Sequence, residues 1–261
     1  MWKLIQAEHD LPKSKDRVLL VSLSTSNPQF VGLYSQAREF ANYLLEKLEF
    51  KRFASLYSSA LPAAITVSGN GVSDLVGVHF YRAESARTDL ILLSGYGTPS
   101  TEEYEFSTEI LSFARKIGVS QVISIGARWN EEPLSPFEEP KVLGFSTDKE
   151  GRKLLESLGV SLQTNEPAYY FSNTIIGACS VFGLRGFKLS VNHGEPTPHP
   201  KSTSAFLNVL SKMLNISIDT ASLEKLAQDL HESLNRSGIT GATTIQNDQS
   251  ESPAGKQDIY R

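Results

Sequence analysis

Hydrophobic residues in this chain follow two alternating rhythms. Arg17-Val-Leu-Leu-Val-Ser-Leu23, Asp89-Leu-Ile-Leu-Leu-Ser94 and Gln121-Val-Ile-Ser-Ile125 are short, continuous apolar runs. Runs of this kind form strands buried on both faces of a parallel sheet. Between them lie stripes at helical spacing: Leu33, Ala37, Phe40, Ala41, Leu44, Leu45 and Leu48, then Phe106, Ile110, Phe113, Ala114 and Ile117. Residues three and four apart share one helix face, so each stripe predicts an amphipathic helix lying on a sheet. Strand, polar loop and helix in that order open a βαβ unit.

Residues 52–82 break the rhythm. Phe53–Tyr57 and Ala64–Val67 read as strands, Gly69-Asn70-Gly71 supplies a hairpin turn, and Leu75–Tyr81 reads as a further strand. An antiparallel insertion beside the parallel sheet is expected. Ser100 with Glu103, and Thr147 with Glu150, have the spacing of capping boxes that start helices. Val142–Phe145 predicts a short strand, Asn173–Leu184 a buried helix, and Phe187–Val191 a last strand. Two helices follow, one centred on Phe206 and Leu210, the other with Leu223, Ala227 and Leu230 on one face. The chain thus reads as a charged leader over residues 1–16, one α/β domain over 17–236 and a tail over 237–261. The domain is a mostly parallel sheet flanked by helices, with an antiparallel hairpin insertion.

Composition changes this picture little. A net charge of −4 gives no basic face for nucleic acid. One cysteine excludes an internal disulfide framework and fits a reducing, cytoplasmic setting. No apolar run reaches the roughly 18 residues of a membrane span, and the first residues lack an apolar signal core.

Candidate chemistry is sparse. In an open α/β sheet, ligands sit at the carboxyl ends of parallel strands, and three loops fall there: Ser24–Gly32, Gly95–Pro99 and Gly126–Asn130. With Arg128 beside them they offer a phosphate cradle on helix N-termini, which is the basis of an enzyme reading around Ser26, Gly95 and Arg128. Neither a G-x-G-x-x-G fingerprint nor a phosphate-loop lysine is present, and short turns need small residues in any case. Cys179 lies within the apolar stretch Ile175–Val181 and reads as core packing rather than as a nucleophile. His193, Glu195 and His199 share a proline-rich loop at a spacing that fits no common zinc pattern. His9, His79 and His231 read as surface or satisfied residues. No catalytic residue, cofactor or metal site is predicted.

The tail carries the sharper signal. Residues 237–258 hold only Ile239, Ala242, Ile245 and Ala254 among apolar residues. Such a stretch cannot offset the entropy of ordering and is expected to be disordered, with a reach on the order of 25 Å. It ends in Ile259-Tyr260-Arg261.

Asp89-Leu-Ile-Leu-Leu-Ser-Gly95, the Glu102–Ile117 helix, Gln121-Val-Ile-Ser-Ile-Gly126 and Gly194-Glu195-Pro196-Thr197 before two closing helices resemble the proteasome-assembly-chaperone family, over roughly residues 17–235. The resemblance implies a three-layer, nucleoside-phosphorylase-like fold without the phosphorylase's catalysis. It also implies an archaeal homologue that acts as an assembly chaperone or ATP-independent activator of the 20S proteasome. Many members of that family, and several proteasome activators, end in a hydrophobic-tyrosine-any motif that docks between α-subunits of the 20S core, and Ile259, Tyr260 and Arg261 match it position by position. Relatives carry a glycine-rich loop after the first strand, of which only Gly32 remains here. The alternatives are a nucleoside-phosphorylase-like enzyme and an adaptor that tethers another protein to the proteasome.

Simple physics fits the docking expectation. Ile259 would fill an apolar depression, Tyr260 would bury its ring with a partner for its hydroxyl, and the carboxylate of Arg261 would pair with a lysine. Two buried side chains at about 2–3 kcal/mol each and one charged hydrogen bond near 2 give roughly 7 kcal/mol. Association costs at least about 4 kcal/mol, so one arm binds only at about millimolar strength. Several arms on one particle gain about 10²–10⁴ in avidity, which predicts a homo-oligomer, a tetramer or pentamer, facing the 20S α-ring.

Overall fold

A computed structural model of the chain describes residues 3–7, 16–24, 31–67, 69–84, 88–99, 101–129, 139–165, 168, 170–193 and 199–236. The three apolar runs become strands β2 (Asp16–Ser24), β7 (Thr88–Tyr96) and β8 (Val119–Trp129). β2 pairs in parallel with both β7 and β8, and β11 (Arg185–His193) pairs in parallel with β8. These four strands are the centre of the sheet, and the continuous Val, Leu and Ile runs of β2, β7 and β8 bury both faces.

Antiparallel strands extend both margins. On one side β7 is followed by β6 (Val78–Ala83), β3 (Lys51–Ser58) and β1 (Lys3–Ala7). On the other, β11 is followed by antiparallel β9 (Val142–Ser146) and then by β10 (Ser161–Leu162), which pairs with β9 in parallel, giving the order β1-β3-β6-β7-β2-β8-β11-β9-β10. Residues 3–7, within the stretch read as a leader, therefore form an edge strand. Their charged neighbours in sequence hid a five-residue segment that gains its hydrogen bonds only by pairing with β3.

The insertion is a separate two-stranded hairpin of β4 (Ile65–Val67) and β5 (Ser73–Leu75), turned through Gly71 at φ +80. The expected single strand Leu75–Tyr81 is divided. Val76 N–H closes the hairpin by donating to Ala64 O at 3.1 Å, and β6 starts afresh at Val78 to join the main sheet.

Helices cover both faces, making three layers. Alternation along the strands sends Leu19, Val21, Ile91, Leu93 and Val122 to one face. There α2 (Glu103–Lys116) and α4 (Phe171–Cys179) cover them with Phe106, Ile110, Phe171 and Ile175. Val18, Leu20, Leu92, Ile123 and Ile125 point the other way. They meet Phe40 and Leu44 of α1 (Val31–Lys47), Leu155 of α3 (Lys149–Ser157), Phe206 and Leu210 of α5 (Pro200–Leu214), and Leu223 of α6 (Ala221–Arg236).

Two helix starts differ from expectation. The cap of α3 is Asp148, whose carboxylate accepts from Gly151 N–H at 2.6 Å, while Thr147 Oγ1 accepts from Gly186 N–H at 3.0 Å. Thr147 is taken by β11, so the acid one residue on does the capping. Glu102 stands at the start of α2 in left-handed conformation at φ 56, and Ser100 lies outside the described residues. α4 stops at Cys179, passes through a 3-10 turn over Ser180–Phe182 and ends at Gly183, φ +66.

Candidate functional site

Ile259, Tyr260 and Arg261 lie outside the described residues, together with all of 237–261. α6, ending at Arg236, is the last element among the described residues.

The strands that lead into the three loops end side by side, as topology requires. Ser24 is level with Tyr96, and Val21 with Ser124, so the carboxyl ends of β2, β7 and β8 lie side by side. Adjacent β2 and β7 lead into helices on opposite faces, which opens a crevice between them. A groove of about 300 Å³ occupies this end on the α1 face, with Ser22 and Ser94 on its floor and Arg38, Asn42, His79 and Tyr81 around it. Ser22 Oγ already donates to Ala37 O at 2.6 Å, and His79 Nδ1 lies 2.8 Å from Ser55 Oγ, so part of the polar lining is engaged internally. Gly95 is explained by packing: a Cβ there would stand 2.5 Å from Gly77 O. Arg128 belongs to β8, level with Asn192 of β11; Ser26 lies outside the described residues.

Two other candidates are engaged elsewhere. Cys179 is fully buried, its thiol donates to Ile175 O at 3.2 Å, and burial pushes its pKa up to about 12. That is a packing thiol. His199 caps α5, its Nδ1 accepting from Lys201 N–H at 3.2 Å while its own N–H donates to Gln36 Oε1 at 3.1 Å. Glu195 lies outside the described residues. Among the described residues no three His, Cys, Asp or Glu side chains gather as a metal site.

One group escaped the sequence reading. Lys188 of β11 is 3% exposed, its Nζ has no hydrogen-bond partner, and burial pushes its pKa down to about 7. It is level with Ser124 of β8, fully buried, whose Oγ also has no partner. The sequence Phe187-Lys-Leu-Ser-Val191 alternates, and alternation ordinarily marks a strand with one wet face. Here α4 covers the face that Lys188 shares with Gly186, whose Cβ position lies 3.1 Å from both Ile176 and Cys179. A lysine in the last strand of a doubly covered sheet was the available signal.

The PAC2 family model matches residues 37–237. No curated protein matches the chain. Among solved structures, the chain is similar to Pyrococcus furiosus PbaB, an archaeal proteasome activator, at 23% identity and TM-score 0.75, covering 90% of this chain and 98% of that one. It is similar to P. furiosus PbaA, an archaeal homolog of proteasome-assembly chaperone, at 22% identity and TM-score 0.66, covering 90% and 96%. A PAC2 family protein from Streptomyces avermitilis shares 20% identity at TM-score 0.69, covering 85% and 95%. Identities this low carry the fold alone.

Proposed function

This chain belongs to the PAC2 family, and from that premise we propose that it serves the proteasome, binding the 20S α-ring through Ile259, Tyr260 and Arg261. The observation that carries this reading is the terminal hydrophobic-Tyr-X sequence on a body whose fold is shared with an archaeal proteasome activator and an archaeal assembly-chaperone homolog. The folded body supplies no energy source of its own in this scheme. It gathers several arms, each too weak alone, into a particle that presents them together to the cytoplasmic 20S particle.

The test is direct. A chain lacking Ile259–Arg261, and a full-length Tyr260→Ala variant, are compared with the parent for 20S binding by surface plasmon resonance and for stimulation of peptide hydrolysis. Loss of binding in both supports the reading; undiminished binding by the truncated chain overturns it. Binding without stimulated hydrolysis assigns an assembly role rather than gate opening.

A further inference from the structure

Two positive elements lie near each other toward the carboxyl end of β8. One is Lys188, whose amine is buried without a partner. The other is the N-terminus of α4, nine residues long, whose first residues follow Tyr170 with no side-chain cap. The first N–H groups of a helix have no acceptor inside it and concentrate about half a positive charge. Asn173 and Thr174 N–H both turn back onto Tyr170 O, at 2.9 and 3.0 Å. Phe171 and Ser172 N–H have no acceptor among the described residues.

The approach of the two is shown at Gly126. A Cβ on this residue would stand 2.7 Å from Lys188 Nζ and 4.0 Å from Ser172 Oγ. Lys188 is level with Ser124, yet its amine reaches Gly126, two residues nearer the carboxyl ends of the parallel strands. It thus points where open α/β sheets place their ligands. Only a residue without a side chain leaves the amine that room. Behind it, Ser124 Oγ is a second buried polar atom without a partner. Buried polar groups are almost always satisfied, and a cluster of orphans marks a water, an ion or a ligand.

We propose that Lys188, Ser124 and the first turn of α4 form a binding site for a phosphate group. An ammonium aimed at a helix N-terminus is a repulsive pair unless an anion stands between them. The donors gathered at this end of the sheet are an ammonium, the hydroxyls of Ser124 and Ser172, and two backbone N–H groups. A tetrahedral group with several oxygens suits that set better than a carboxylate with two. At the α4 end of the site Tyr170 is exposed and in strained backbone conformation at φ 75. Glu103 of α2 accepts from Thr174 Oγ1 at 3.3 Å, so its carboxylate is held beside the fourth residue of α4.

Isothermal titration calorimetry on the full chain tests the site, with inorganic phosphate and ribose 5-phosphate as probes against chloride at equal ionic strength. The parent is expected to bind one phosphate group per chain. Lys188→Met removes the ammonium at similar volume, and Gly126→Ala pushes the amine aside; each should weaken binding about tenfold or more. Circular dichroism of both variants checks that they fold. Tighter binding of the ester assigns the site to the phosphate end of a metabolite, and tighter binding of inorganic phosphate assigns it to the free anion. Absence of binding to the parent, or equal binding by folded Lys188→Met, overturns the proposal.

Discussion

The carboxylate of Asp89, fully buried at the start of β7, accepts from Arg82 of β6 through Nη2 at 2.9 Å and Nε at 3.1 Å. Arg17 of β2 approaches the same oxygen, with Nε at 3.5 Å, and its Nη1 donates to Ile117 O at the end of α2. One acid therefore joins an antiparallel strand, two parallel strands and a helix end. Replacing it by alanine leaves the Arg17 guanidinium without that carboxylate in a dry interior and Arg82 with only the exposed Glu84, 2.9 Å from its Nη1. Asp89→Ala is expected to lose about 3–5 kcal/mol, measured as a lower urea midpoint at unchanged slope. A loss below about 1 kcal/mol would show that the pair is hydrated in solution.

Lys188 makes stability depend on pH in a defined direction. Its folded pKa, about 7, lies below the ordinary 10.5, so between those values the unfolded chain binds more protons than the folded one. Stability contributed at this site therefore rises with pH through that window and is lowest below pH 7. Lys188→Met, free of this penalty, is expected to be the more stable protein below pH 7, with the gap closing toward pH 10. Urea titrations of both chains in phosphate-free buffer measure it; a pH-independent gap would place the amine in contact with water.

Asp148 caps α3 and also accepts from Arg185 Nε at 2.7 Å. The Gly151 N–H first, then Arg185, hold its carboxyl below the usual range. A depressed folded pKa contributes stability that is present above the ordinary value of 3.8 and lost as pH falls through the folded value. Asp148→Ala should cost about 1 kcal/mol at neutral pH, and Asp148→Asn, which keeps a capping oxygen, less. Thr147→Ala is the control: it leaves the cap intact and removes only the acceptor for Gly186 N–H.

Avidity sets a separate requirement on the proposed proteasome role. With one arm worth only about millimolar affinity, productive binding needs several arms per particle. Multi-angle light scattering is expected to give a tetramer or pentamer at working concentration. A monomer that nonetheless binds the 20S particle tightly would contradict the arithmetic and point to contacts made by the body.

Much of the scaffold is legible without coordinates because its signals are local. The Val-Leu-Leu-Val run beginning at Val18, the Asp89–Ser94 run and the helical stripes of α1 and α2 each state their own element. Asn70-Gly71 states a turn. Where neighbours in space decide, the local signal fails. Lys3–Ala7 becomes a strand only because β3 offers an edge. Asp148 takes the cap because Thr147 is engaged by β11. The break after Leu75 arises because one stretch serves two different sheets.

The sequence by itself determined the α/β class, the hairpin, the family resemblance and the terminal Ile259-Tyr260-Arg261, since period, turn chemistry and a contiguous motif are written along the chain. Tertiary structure alone decided where polar atoms are stranded. Lys188, Ser124, Gly126 and Ser172 are scattered over three elements, and nothing local marks their meeting. It takes parallel pairing of β8 with β11, and α4 laid across them, to shut an alternating strand away from water and aim its lysine at a helix end.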